Sequence, residues 1–339
     1  MKQSPTIAVI GGTGVYDPKM LSRIETLEVD TPYGTVTCQT GEYAGKTVAF
    51  IPRHGSGHSI PPHLINYRAN IWALKKIGVR KILATTAVGS LNPQYKPGEF
   101  VFPDQFLDFS KSRVPTFFDG GERGVVHVDV TTPYCQDLIR QLAKDATKLN
   151  LSAYSGGCYV CTAGPRFETA AEVKAYRQLG GDVVGMTGVP EAVLAREAEM
   201  CYTTVSMVTN FAAGISKELL THREVYETMQ QNSENIRKLL AAAIEAIDPL
   251  SDCACHHALQ EFGGFKLRPA VKRGCNRCCG KTGHWCCWTR PSCRCRKSIL
   301  SAGLPAGGRS DPPAGSARRA GYRCSGCFRA GAGGRRNCA

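Results

Sequence analysis

No run of eighteen or more apolar residues occurs in the 339-residue chain, so no segment is long enough to cross a bilayer as a helix. The opening "MKQSPTIAVIGG" enters a strand at once and leaves no room for a secretory leader, so a cytoplasmic protein is expected. Acidic residues nearly vanish from the C-terminal quarter, where residues 264 to 339 carry 17 Lys and Arg against the single acid Asp311. The remainder lacks any excess of one sign, with 25 basic and 27 acidic residues. The formal charge of +14 therefore belongs to a tail, and a broad nucleic-acid-binding face on the body is excluded. Internal repeats are absent too, which excludes a solenoid or propeller.

Cysteine is sparse before residue 264 and dense after it. Seven of the 17 (Cys38, Cys135, Cys158, Cys161, Cys201, Cys253 and Cys255) precede that point. The first five lie in apolar stretches and read as reduced, buried thiols of a cytosolic protein. After "EFGG" hydrophobic periodicity stops, and Cys, Arg, Gly, Pro and Ala dominate in a composition that cannot bury an ordinary core. The expected division is a domain over 1–264 and a tail over 265–339. The tail pairs Cys275-x2-Cys278 and Cys324-x2-Cys327 invite a zinc reading, but pair spacing is irregular and no hydrophobic period accompanies it. A shifted reading frame or read-through is favoured over a disordered basic tail, and either over a zinc or nucleic-acid module.

What the body contains is alternation. Short β-branched runs at 6–10, 47–51, 81–86, 99–102, 158–162 and 202–209 predict strands. Longer patterns at 63–76, 135–149, 169–179, 189–199 and 222–247 predict helices. This is an α/β class: a single domain of α/β/α layers around a mostly parallel or mixed sheet.

Anion-friendly turns follow three of those strands. "GGTG" at 11–14 offers backbone N–H groups and the Thr13 hydroxyl, although it lacks the G-x-G-x-x-G spacing of a dinucleotide site. "PRHG" at 52–55 places the Arg53 fork and the His54 imidazole beside glycines. "TTAVG" at 85–89 presents Thr86 and Ala87 at a strand's C-terminal edge, where open α/β sheets bind ligands. A metal reading of His54, His58 and His63 lacks a carboxylate, and no metal is expected. Further on, Phe167 offers a stacking face and Glu168 an acceptor, and Met186 and Thr187 end a strand.

Taken in order, "GGTG", "PRHG", "TTAVGSLN", "AGPRFET" and "GMTGVPEAVLAREAEMCY" resemble the trimeric purine nucleoside phosphorylase family, including its 5'-methylthioadenosine phosphorylase branch. The resemblance runs from about residue 5 to 263. It implies the nucleoside phosphorylase fold and reversible phosphorolysis of a purine nucleoside, with phosphate as co-substrate and no cofactor. It also implies a homotrimer or a dimer of trimers, with no membrane or nucleic-acid partner. Thr13, Arg53, His54, Thr86, Ala87 and Thr187 would bind phosphate, with His54 and Asn210 catalytic. Phe167, Met186, Asn210, Phe211 and Ala212 would contact substrate, and His127 would reach the pocket of a neighbouring subunit. "DCACHHAL" at 252–259 is similar to a C-terminal ending in which paired cysteines form a short-range disulfide in some heat-stable members.

The same resemblance separates the branches. The methylthioadenosine branch carries Asp-x-Asp where this chain has Asn210 and Ala212, and those acids read adenine. An asparagine can both donate to a C6 carbonyl and accept from a protonated N7, whereas a carboxylate at neutral pH can only accept. Glu168 would accept from N1–H of a 6-oxopurine, and His222 would bond the ribose 5'-hydroxyl. A 6-oxopurine nucleoside phosphorylase acting on inosine and guanosine is therefore expected, ahead of an S-methyl-5'-thioinosine phosphorylase and then a methylthioadenosine phosphorylase.

Overall fold

A computed structural model describes residues 4–12, 15, 20–55, 57, 59–216 and 222–267. Thr13, His58 and the Cys-rich stretch from 268 onward lie outside the described residues, as does the side chain of His222.

The strands with the most continuous apolar character take the centre of a mixed sheet. β1 (Ile7–Gly11) is buried at every position and lies parallel between β4 (Lys46–Pro52) and β5 (Lys81–Ser90). β11 (Cys201–Phe211) pairs parallel with β5 and is buried at ten consecutive residues. Strands covered on both faces need apolar or self-satisfied small side chains along their whole length, which is why these four segments read as unbroken runs. β2 (Ser22–Thr31) and β3 (Gly34–Tyr43) extend the sheet beyond β4 as an antiparallel ribbon, and their turn closes at Gly34 with φ +126°. Two further groups complete it. β10 (Val183–Gly185), β9 (Cys158–Cys161) and β7 (Gln105–Asp108) run on from the end of β5, while β6 (Phe100–Phe102) and β8 (Ala153–Ser155) run on from β11.

The helices flank this sheet. α1 (Tyr67–Lys76) packs with α4 (Gly188–Glu197), and α2 (Gln136–Lys148) packs with α5 (His222–Ala246). α1 starts four residues later than its periodicity suggests. Pro62–Leu64 form a separate 3-10 turn, and Asn66 then caps the helix by accepting from the Ala69 N–H at 3.1 Å. α3 (Ala170–Gln178) opens on a capping box between Thr169 and Glu172. The domain boundary expected near 264 falls one residue short of Phe265, whose ring packs on Trp72 and Phe117 with centroids 5.3 and 5.4 Å apart. No helix among the described residues is long and apolar enough to cross a membrane.

One irregularity in the sheet sets up the site. β1 leaves the edge of β5 after Ala84, and β10 joins that edge only at Gly89, in antiparallel sense. Between them, Thr85 to Val88 pair with no strand on that side among the described residues, so the sheet opens at the C-terminal ends of its parallel core. A gap where neighbouring strands diverge is where open α/β sheets place ligands.

Candidate active site

A cavity of about 370 Å³ fills that gap, within the range of small-ligand sites. It collects residues from every anion-friendly turn that the described structure contains. Gly12 follows β1, Arg53 and His54 follow β4, and Thr86 and Ala87 lie on the open edge of β5. Met186 and Thr187 follow β10, Phe167 and Glu168 precede α3, and Asn210 and Ala212 come from the end of β11. Gly12 is required by close approach: a Cβ there would sit 2.3 Å from the Thr85 carbonyl oxygen. Its N–H donates to Thr85 Oγ1 at 2.8 Å, which locks the first turn onto the third.

Arg53 is 1% exposed and is held from behind. Its Nε and Nη2 donate to the two carboxylate oxygens of Glu191 at 2.9 and 2.7 Å, and Nη1 donates to the Thr85 carbonyl at 2.7 Å. Glu191 also accepts from the Tyr202 hydroxyl at 2.7 Å. Burial by itself would lower the Arg53 pKa, but the Glu191 charge and hydrogen bonds outweigh it and hold the guanidinium above its ordinary range. A guanidinium has five N–H donors, so this arrangement leaves one on each Nη beyond the three committed. The fork is thereby fixed in orientation while keeping hydrogen-bonding capacity at the cavity wall. Glu191 escapes a sequence reading because an acid in the first turn of a helix looks like a dipole partner.

His54 has its tautomer fixed. Nδ1 lies 2.8 Å from the Ile60 carbonyl oxygen, which can only accept, so Nδ1 carries a proton. Thr86 is buried and its hydroxyl bonds Ser206 Oγ at 3.0 Å, tying the open edge of β5 to β11. Thr187 occupies the N-cap position of α4 but makes no side-chain cap bond, so its hydroxyl is not consumed by the helix.

On the opposite wall, Asn210 is 4% exposed and ends a bulged strand. Register between β11 and β5 slips between Val208 and Asn210, so Thr209 is an inserted residue. Strict alternation would send neighbours to opposite faces, yet Thr209 and Asn210 both line the cavity because the bulge re-aims one of them. The Thr209 hydroxyl donates to Asn210 Oδ1 at 2.7 Å, and Asn210 Nδ2 donates to the Phe211 carbonyl at 2.9 Å. Thr209 carries no motif signal, since a bulge is a property of pairing. Glu168 Oε1 accepts from Thr162 Oγ1 at 2.8 Å. Desolvation raises its pKa, opposed by that hydrogen bond.

Two of the residues expected at the site stand apart from this cavity. The Phe211 side chain does not line it, because that residue lies one position beyond Asn210 and contributes a carbonyl instead. His127 lies in an exposed segment and does not line it either. His222 begins α5, and Val225 from the same turn reaches the cavity.

A profile described as the phosphorylase superfamily matches residues 6–245. The chain belongs to this superfamily. Among its relatives, a 6-oxopurine nucleoside phosphorylase of Pyrococcus furiosus is 57% identical over 266 residues, covering 77% of this chain and 100% of that one. A probable 6-oxopurine nucleoside phosphorylase of Moorella thermoacetica is 55% identical over 249 residues, covering 74% and 96%. Among solved structures, a methylthioadenosine phosphorylase from an antarctic soil metagenomic library superimposes with a TM-score of 0.71 at 37% identity, over 77% of this chain and 92% of its own. Superfamily membership and the layered α/β architecture thus agree with what the motif series implies.

Proposed function

We propose that this chain is a 6-oxopurine nucleoside phosphorylase, a pentosyltransferase that cleaves inosine and guanosine with phosphate to give free base and ribose 1-phosphate. The observation that carries the substrate assignment is Asn210, a buried carboxamide with a fixed orientation facing the same cavity as Glu168. The carboxamide donates to O6 and accepts from N7–H, while Glu168 accepts from N1–H. An adenine ring would put like groups against each other and leave buried polar atoms unpaired. The relatives named as 6-oxopurine phosphorylases support the same assignment.

On this reading phosphate lies between Arg53, His54, Thr86, the Ala87 backbone and Thr187, at the N-terminus of α4, with Thr13 as a further phosphate-binding residue. The Glu191 carboxylate keeps Arg53 oriented without neutralising all its donors. As the glycosidic bond stretches, the sugar gains oxocarbenium character and phosphate is positioned to attack the anomeric carbon. Met186 lies along the ribose and Phe167 covers the base. Electron density that flows onto the purine is taken up as N7 gains a proton from solvent and the new N7–H donates to Asn210 Oδ1, so stabilisation grows toward the transition state. No cofactor or metal enters these steps. The domain occupies roughly residues 1–264, and His127 completes the site of an adjoining subunit in a homotrimer.

A second reading is favoured by one feature. Val225 lines the cavity in the first turn of α5, where an apolar group would suit a methylthio substituent rather than a hydroxyl, as in an S-methyl-5'-thioinosine phosphorylase. Turnover of inosine, guanosine, adenosine, 5'-methylthioinosine and 5'-methylthioadenosine, with and without phosphate, separates these readings. Phosphate-dependent release of hypoxanthine and guanine is expected. A preference for methylthioinosine over inosine would overturn the 5'-hydroxyl assignment alone, and a preference for methylthioadenosine would overturn the base assignment.

A further inference from the structure

Four cysteines far apart in sequence meet at the other end of β11. Cys135 is the N-cap residue of α2, Cys201 is the first residue of β11, and Cys253 and Cys255 belong to the segment that follows α5. Their sulfur atoms all lie within 4.8 Å of one another, and Cys135 Sγ and Cys253 Sγ are 3.7 Å apart. All four are free thiols; three are buried and Cys253 is half-buried. Four thiols brought this close exceed what core packing of small apolar side chains requires.

We infer that Cys135, Cys201, Cys253 and Cys255 form a closed, structural tetrathiolate site for a zinc-class divalent ion. A tetrahedral zinc–thiolate site with bonds of about 2.3 Å has sulfur–sulfur edges of about 3.8 Å. The 3.7 Å pair already has that spacing, and the rest of the group needs only a small contraction. A cluster of several irons would require the sulfurs to stand further apart. All four positions are filled by protein, which marks a structural rather than a catalytic site.

The surroundings suit a site of net charge −2. Cys135 sits at a helix N-terminus, which favours thiolate. His256 Nε2 lies 3.5 Å from Cys201 Sγ, and Arg80 Nη2 lies 3.0 Å from His256 Nδ1. A guanidinium can only donate, so Nδ1 accepts and Nε2 carries the proton toward the sulfur; Asp252 Oδ1 is further from Nδ1, at 3.3 Å. A ligand sulfur receiving an N–H from an oriented imidazole is the outer-shell arrangement metal sites use. Binding would release the thiol protons to solvent without change of oxidation state.

The consequence is architectural. One ion would tie the start of α2, the start of β11 and the segment after α5 together. Asn210 lies nine residues along β11 from Cys201, roughly 30 Å at the rise of an extended strand. Metal removal should therefore loosen the fold and leave the chemistry intact.

The test uses the full chain under a phosphine reductant, in zinc and after exhaustive chelation. Alkylation is followed peptide by peptide, so that the ten later cysteines are scored separately. The expected result is at least a tenfold slower modification of Cys135, Cys201, Cys253 and Cys255 in zinc, with a higher unfolding temperature and unchanged kcat. Cobalt loading should give the thiolate charge-transfer and tetrahedral d–d bands, and these should be lost in Cys135→Ser/Cys255→Ser. Equal modification with and without zinc would overturn the inference, whether or not the double variant folds. So would isolation of the native protein with these thiols joined in disulfides and no bound metal.

Discussion

On the proposed function Asn210 and Glu168 divide the reading of a purine between them, and each leaves a separate signature. Glu168 has a raised pKa because burial penalises its charge. Above the unfolded value near ~4.3, the folded state keeps this proton while the unfolded state has lost it. Stability contributed by the neutral carboxyl is thus full at low pH and falls as pH rises from that value through the raised folded one. Glu168→Gln should remove this slope and make the protein modestly more stable at neutral pH, as denaturant midpoints at pH 4 and 7 would show. In the proposed catalysis the sign is opposite, since the ionised carboxylate accepts from N1–H more strongly than the neutral acid. The acid limb of kcat/KM for inosine should lie above the ordinary carboxylate range and flatten in Glu168→Gln. Thr209→Val removes the hydroxyl that holds Asn210 Oδ1. It should lower kcat/KM by about 5- to 30-fold, as expected for losing roughly 1–2 kcal/mol of a buried hydrogen bond, with little change in unfolding temperature.

At the scale of elements, β5 and β11 supply two facing walls of the site. The open edge of β5 supplies Thr86 and Ala87, and the bulge at Thr209 brings Asn210 to the facing wall. α4 supplies Glu191, which clamps Arg53 through two hydrogen bonds. Glu191→Gln would leave a buried guanidinium without its counter-charge, and a loss of about 3–5 kcal/mol in unfolding free energy is expected. Substitution of Arg53 and Glu191 together by apolar residues should cost less stability than either alone while abolishing phosphate-dependent turnover.

Which of these elements were legible follows from what covers them. β1, β4, β5, β9 and β11 are apolar runs because they are buried, and their ends carry the motif residues. β2 was not legible, because "SRIETLEVDT" is polar and exposed over most of its length. β8 is only three residues long, too short to show a period. Thr209 and Glu191 were missed for a different reason: one is defined by strand register and the other by a partner 138 residues away. The cysteine cluster is likewise invisible in spacing, since only the fold brings Cys135 to Cys253.

For the whole molecule, the site described within one chain is incomplete if His127 serves a neighbour. His127 is exposed and does not line the cavity of its own chain. A trimer by light scattering is expected, and His127→Ala should raise KM for nucleoside while leaving subunit mass and unfolding temperature unchanged. A monomer with full activity would contradict the shared site. The basic, Cys-rich stretch after residue 267 takes no part in the proposed chemistry. Truncation there should preserve kcat/KM within about twofold, a difference of under ~0.5 kcal/mol.

The central claim is that the purine is chosen by the carboxamide at 210, and the ratio of kcat/KM for inosine to that for adenosine tests it most directly. Measured at saturating phosphate in the native chain and in Asn210→Asp, this ratio should strongly favour inosine in the first. It should fall by at least about tenfold in the second, the effect of leaving one buried polar group mispaired. An unchanged ratio in Asn210→Asp, or a native preference for adenosine, would contradict the account.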